Sequence, residues 1–301
     1  MALGTDGYTN ADLDVNIPEV YGQKINDYFR YSLSLASFFT DRSEELSDGG
    51  SVIYTPNLSA MTVSTKTNNA QVTLSSPTYD NQTLTVSTWK ESSFVIEDRE
   101  MAQLKKSYNL QTRIAQGAAW EVAQELDNTL ATLLASFSTA FGASTTNLAD
   151  SDILAALATA EVSFPGLYNG DAAFILHPNT FYRQIGSIDK MTLWQNTNSE
   201  MPRMKAPTRM LYGVQVIVTP AVTTTLGSRA NALAHKDAIH WARLSLPAKA
   251  EKAFVGTEGV RVQQSYVHEY LGDLVTVDLC FGAVENRDSY GILLKSHQTA
   301  A

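Results

Sequence analysis

Two serine–lysine pairs, Ser87-Thr88-Trp89-Lys90 and Ser187-Ile188-Asp189-Lys190, have the spacing at which a lysine can activate a serine nucleophile. The companion S-D-N and K-T-G motifs are missing from the chain, so neither pair is expected to react. Asp12-Leu13-Asp14-Val15-Asn16 begins like a calcium loop. Ile17, however, stands at the turn position that needs glycine, and Gln23 where a bidentate glutamate belongs. The five histidines, His177, His235, His240, His268 and His297, fall at no ligand spacing, and the single Cys280 can form neither an internal disulfide nor a cysteine cluster. No nucleophile elbow, P-loop, G-x-G-x-x-G or H-E-x-x-H run occurs. The expectation is a protein that is no enzyme, with no catalytic, cofactor-binding or metal-ligating residues. One acid still matters: Asp127 follows Leu126 on an apolar helix, where a solvated or interface carboxylate is expected before a buried one.

The 301 residues carry 22 basic and 31 acidic side chains, for a formal charge of −9, and only 18% are charged. An acidic chain without a basic run lacks the cations that displace counterions from duplex DNA, so contact with DNA should be weak and non-specific. Low surface charge suits protein interfaces. Residues 1–14 show no basic segment followed by an apolar one, so no signal peptide is expected, and no run of ~18 uncharged apolar residues suggests a membrane span.

The elements that must position any site follow from periodicity. Residues 1–16 read as an arm. From Pro18, a first-turn proline, Val20, Ile25, Tyr28, Phe29, Leu33, Leu35, Phe38 and Phe39 follow at helical spacing. The chain's own core is the first candidate to cover these groups, and a neighbouring chain the second. Residues 51–96 alternate apolar side chains with threonine and serine, the pattern of half-exposed strands. Val52-Ile53-Tyr54, Met61/Val63, Val72/Leu74 and Leu84/Val86 are the strand candidates, with turns at 66–69 and 77–81. Such a hairpin has too few large apolar groups for a core of its own, so residues 58–90 are expected to serve neighbours more than their own chain. Residues 97–141 read as one helix, ~50 Å or more in length, with Ile114, Ala118, Val122, Leu126, Leu130, Leu133 and Phe137 along one stripe. Beyond Gly142, helix and strand alternate: a helix at 152–162, strands at 172–176 and 214–219, and returning strands at 230–234, 259–268 and 274–281.

This order of parts resembles the major capsid proteins of tailed bacteriophages. The resemblance is carried by Ile17-Pro18-Glu19-Val20-Tyr21, Gly50-Ser51-Val52-Ile53-Tyr54-Thr55-Pro56 and Phe94-Val95-Ile96-Glu97-Asp98. Further along it rests on Asp127 after an alanine-rich helix, Phe174-Ile175-Leu176-His177-Pro178, Tyr212-Gly213-Val214-Gln215-Val216, Ala234-His235-Lys236-Asp237-Ala238-Ile239 and Phe281-Gly282-Ala283-Val284. It implies an α+β, HK97-type capsid fold: an N-terminal arm (1–49), an extended loop or E-loop (50–97), a peripheral domain with a spine helix (98–143), an axial domain (144–255) and returning strands (256–301). It also implies a structural protein that self-assembles through pentamers and hexamers into an icosahedral shell around double-stranded DNA, in a virion capsid built in the host cytoplasm. The partners implied are further copies, a scaffolding protein that is separate or cleaved off, a portal, and decoration proteins, with no membrane. Candidate assembly contacts are Tyr28, Phe29, Phe38, Phe39, Lys66, Asn68 and Asp127. Lys66 matches the place of the cross-linking lysine of some relatives, but no partner asparagine and acid match by motif, and an ordinary solvated turn residue is the expectation. The alternatives are an encapsulin-like compartment of the same fold, a tail or decoration protein, and an α/β hydrolase with an unrecognised site.

Overall fold

The computed structural model describes residues 34–47, 49–58, 61–77, 79–103, 110–185, 210–225, 227–247, 252–255 and 260–298. Residues 1–33 of the arm, including Tyr28 and Phe29, and Ser187–Lys190 of the second serine–lysine pair lie outside the described residues.

Two sheets organise the rest. The seven-stranded sheet runs β5 (Ala140–Phe141), β15 (Gly291–His297), β10 (Ser228–His235), β6 (Ala172–Leu176), β8 (Val214–Val218), β7 (Met210–Leu211), with β9 (Thr224–Thr225) on β10. Its central strand β6, Ala-Ala-Phe-Ile-Leu, is buried at every position, as expected of an uninterrupted apolar run that pairs on both edges, antiparallel to β10 and parallel to β8. Helix α4, which follows α1–α3 introduced below, covers it from Asp150–Ser163: Ile153, Ala156, Leu157 and Ala160 repeat at helical spacing and are buried, and Asp152 accepts from the Ala149 N–H at 3.2 Å.

The six-stranded sheet is built around the long strand β14 (Gly272–Glu285). One edge of β14 pairs first with β13 (Arg261–Val267), itself flanked by β12 (Lys252–Val255), and then with β11 (Ile239–Leu244), which β1 (Thr40–Asp41) extends in parallel. The other edge pairs with β4 (Thr88–Glu97) along ten residue pairs. The chain passes from β10 to β11, and so between the sheets, through the turn Lys236–Ala238, and returns from β14 to β15 through Asp288–Tyr290.

Within the region expected as one helix, two helical segments are described. α2 spans Asp98–Gln103 and α3 spans Leu110–Leu133, with 104–109 outside the described residues. α1 is the short turn Leu35–Phe38. At ~1.5 Å per residue the 24 residues of α3 extend about 36 Å. The helix tightens into a 3₁₀ turn at Leu134–Ser136 and ends there, because Ala140–Phe141 must extend to pair with β15. The stripe on α3 is also rotated: Val122, Leu126 and Leu130 are buried as expected, but so are Ala123, Asp127, Ala131 and Leu134, whereas Ile114 is 38% exposed and Leu133 half-buried. Small alanines let α3 lie close on the six-stranded sheet, so the apolar face is read by size as much as by hydrophobicity.

Residues 52–85 form the hairpin. β2 (Val52–Leu58) and β3 (Tyr79–Thr85) pair antiparallel from Val52↔Thr85 to Leu58↔Tyr79. The expected strands at Met61/Val63 and Val72/Leu74 do not pair: residues 61–77 carry no ladder among the described residues, only a turn whose Ala70 N–H donates to Thr67 O at 3.2 Å.

Candidate functional site

The hairpin divides into a base and a limb. At the base Ile53, Leu84 and Val86 pack with Leu46 and Ala242 into a small core. The hairpin crosses β14 so closely that a Cβ on Gly282 would stand 2.2 Å from Thr85 O, which is why only glycine fits there. Gln82 Nε2 donates to Glu285 O at 2.6 Å, a second fastening. These contacts correct the expectation for 58–90. Leu84 and Val86 belong to the chain's own core, β4 is a full member of its sheet, and Trp89 Nε1 donates to the buried carboxylate of Asp278 at 3.0 Å.

The limb, 61–77, is different. Val63 is 96% exposed and Leu74 90%, with Met61 and Val72 also mostly in solvent. Its turn contains Asn69 at φ 61°, a left-handed position that asparagine tolerates. Lys66 reaches back across the turn and donates to the carbonyls of Thr67, at 2.9 Å, and Ala70. Lys66 and Asn68 are both exposed. The limb therefore presents four large apolar side chains and one ammonium, itself tied to backbone.

Asp127 lies at the opposite extreme. The carboxylate expected on the surface is fully buried, and it accepts from three successive backbone N–H groups: Ser34 at 3.0 Å, Leu35 at 3.4 Å and Ala36 at 3.0 Å. These are donors that the start of α1 leaves without an intrahelical partner. Burial pushes the Asp127 pKa up, and the three N–H groups pull it back down. Trp241 completes the clamp, its Nε1–H lying 3.1 Å from Ala36 O and 3.3 Å from Phe39 O. Phe39 is buried against the same cluster, and Phe38, half-buried, meets it edge to face at 5.1 Å between ring centres. Phe39 is thus an internal anchor of the chain, covered by the chain's own core, the first of the two covers expected for it. The signal that would have placed Asp127 inside is tertiary, because the donors it serves are more than ninety residues away.

No acid–base or nucleophilic constellation emerges among the described residues. Lys90 Nζ of the first serine–lysine pair bonds the Glu125 carboxylate at 3.0 Å. No three His, Cys, Asp or Glu side chains converge in a metal-binding group there. His235 is buried between the rings of Phe164 and Tyr290, and its Nδ1 accepts from the Asp237 N–H at 3.1 Å. Arg261 and Asp278 form a buried bidentate pair beneath Trp89, with Arg261 Nε–H donating at 2.8 Å. Such pairs fix geometry more than they add stability.

The backbone is similar to solved phage structures. One from Mycobacterium phage Che8 superposes with a TM-score of 0.71 at 14% identity, over 92% of this chain and 96% of that one. The capsid of cyanophage P-SCSP1u gives 0.70 at 14%, over 99% and 97%, and the capsid of a native GTA particle 0.70 at 13%, over 99% and 100%. No protein-family model matches the chain, and no curated protein does. The α+β, HK97-type architecture expected above is the fold found.

Proposed function

We propose that the chain is the structural subunit of a tailed-phage capsid, acting by assembly and not by catalysis. The observation that carries this reading is the limb at 61–77, whose apolar side chains find no cover among the described residues although the fold around them is similar to that of capsid subunits. Exposed apolar surface of that kind marks a protein contact. In this reading residues 50–97 act as the extended loop, α3 as the spine helix of a peripheral domain, and the seven-stranded sheet as the axial domain. Phe38, Lys66 and Asn68 meet neighbouring copies, Tyr28 and Phe29 do so from the arm, and Asp127 contributes indirectly by fixing where the arm begins. Pentamers and hexamers then tile an icosahedral shell, with a separate scaffold, a portal and decoration proteins as further partners, in a virion assembled in the host cytoplasm.

The shell contains double-stranded DNA without gripping it, in keeping with the formal charge of −9. Free duplex should bind weakly at physiological salt, and tight binding with a steep salt dependence would refute this part. Sedimentation of the purified chain, alone and with its scaffold, tests assembly itself. Capsomers or closed particles are expected in at least one condition, and a monomer in both would refute the proposal.

A further inference from the structure

His240 lies on β11, 7% exposed, between the turn that leads to the hairpin and the end of β14. Arg42 Nη1 stands 3.5 Å from its Nδ1, and Asn286 Nδ2 stands 3.4 Å from its Nε2. Both neighbours are donors, yet a neutral imidazole has one acceptor nitrogen. Whichever ring nitrogen carries the proton therefore faces another donor. Beside them Asn286 Oδ1 is buried without a partner, while its Nδ2 donates to Asp237 O at 3.2 Å. The amide is thus turned so that its acceptor is wasted next to a ring that could supply an N–H.

Charged groups face this ring from every side. Arg42 comes from the segment after β1 and is bound by Glu45 of the next turn; Asp237 comes from the turn before β11, its carboxylate accepting from Thr40 Oγ1 at 2.7 Å. Arg287 approaches from beyond β14, its guanidinium 5.2 Å from the centre of the Tyr290 ring. Two acids thus offset two cations, and burial decides: it holds the imidazole below the usual histidine range, with Arg42 adding to the effect.

We propose that His240 is a proton-operated latch at the root of the projecting hairpin. With the ring neutral, Nδ1 accepts from Arg42. A proton taken from solvent at Nδ1 leaves both nitrogens as donors and expels the Arg42 guanidinium from the ring, while Nε2–H, present in both states, goes on facing the Asn286 amide. No covalent bond is made or broken apart from the N–H formed. The consequence reaches the hairpin because Arg42 N–H donates to Trp241 O at 2.8 Å and Leu46, four residues on, packs with Ile53, Leu84 and Val86. Release of Arg42 loosens the turn at 42–46 on which the base rests. The latch operates within one chain, so it holds whether or not copies assemble.

Hydrogen–deuterium exchange on the full chain, followed from about pH 7.5 to about pH 4.5 and normalised for intrinsic rates, reads the latch directly. Peptides across 42–58 and 79–86 should exchange roughly tenfold faster at the acid end in the wild type, and this acceleration should vanish in His240→Gln. No acceleration in the wild type, or the same acceleration in both proteins, would overturn the proposal. Arg42→Gln supplies a second arm that does not depend on folding of the buried variant. Removing the guanidinium should raise the midpoint of the His240 imidazole NMR titration, and an unmoved midpoint would equally overturn it.

Discussion

The limb at 61–77 and the clamp around Asp127 place side chains against their chemical type. In the limb Met61, Val63, Val72 and Leu74 stand in solvent, while in the clamp a carboxylate is sealed beneath Trp241 and α1. The difference lies in partners. Asp127 has three N–H groups aimed at it, so burial leaves its charge hydrogen-bonded. Among the described residues the apolar groups of the limb have no facing element. One region is closed by the chain's own residues, and the other is, in the proposed reading, completed by assembly.

The sharpest way to break this contrast is to damage the complete region. Leu126→Asp puts an unpaired carboxylate at a site 5% exposed beside the clamp and should cost on the order of several kcal/mol, a large share of ~5–15 in total. Insoluble expression is expected, and a normal melting temperature would show the face to be wrongly assigned.

Asp127→Ala should be nearly as harmful, contrary to what its sequence position suggests. It strands three backbone donors and should cost about 2–5 kcal/mol, read by denaturant unfolding. Asp127→Asn keeps one carbonyl oxygen and should fall between. A harmless alanine would mean that the segment at 34–36 finds its partners elsewhere.

Gly282→Ala probes the junction of the two regions. The new methyl would meet Thr85 O at 2.2 Å, so the hairpin base must lift, at a cost of about 1–3 kcal/mol with assembly affected more than folding. An unchanged melt together with unchanged particles would show that the crossing is not close.

Acid should weaken the complete region by a smaller, graded amount. Burial lowers the pKa of His177 to about 4 and also lowers those of His235 and His240. Each is neutral when folded and binds a proton more readily when unfolded, so the stability it contributes is full above the unfolded value near 6.5 and is lost as pH falls toward the folded value. Asp127 and Glu285, whose values are raised, act in the opposite sense as pH falls from their folded toward their unfolded values, and offset part of this loss. The melting temperature should therefore decline between about pH 6.5 and about pH 4, and His177→Gln should flatten part of that slope.

How much of this was legible in sequence follows from range. The strand at 172–176, the helix at 152–162 and the apolar phase of Val122, Leu126 and Leu130 are local patterns, and each is found in the structure. The unpaired limb could be anticipated in kind, because threonine-rich alternation with few large side chains cannot build a core, but not in extent. Leu84 and Val86 look no different from Val72 and Leu74 until β14 passes beneath them. Asp127 was misplaced because helical phase locates a face without showing what lies against it, and alanines at 123 and 131 conceal the width of the buried stripe. The end of α3 escaped notice for the same reason: residues 137–141 continue an apolar rhythm but are claimed by β15.

The most direct test of the account replaces residues 61–77 with a short Gly-Ser linker and compares it with the wild type by thermal melting and electron microscopy. The limb buries almost nothing in its own chain, so the melting temperature should change little, by less than ~1 kcal/mol in stability terms, while capsomers or shells seen for the wild type disappear. A variant that still forms closed particles, or one whose monomer collapses, would contradict the claim that this limb is completed by its neighbours.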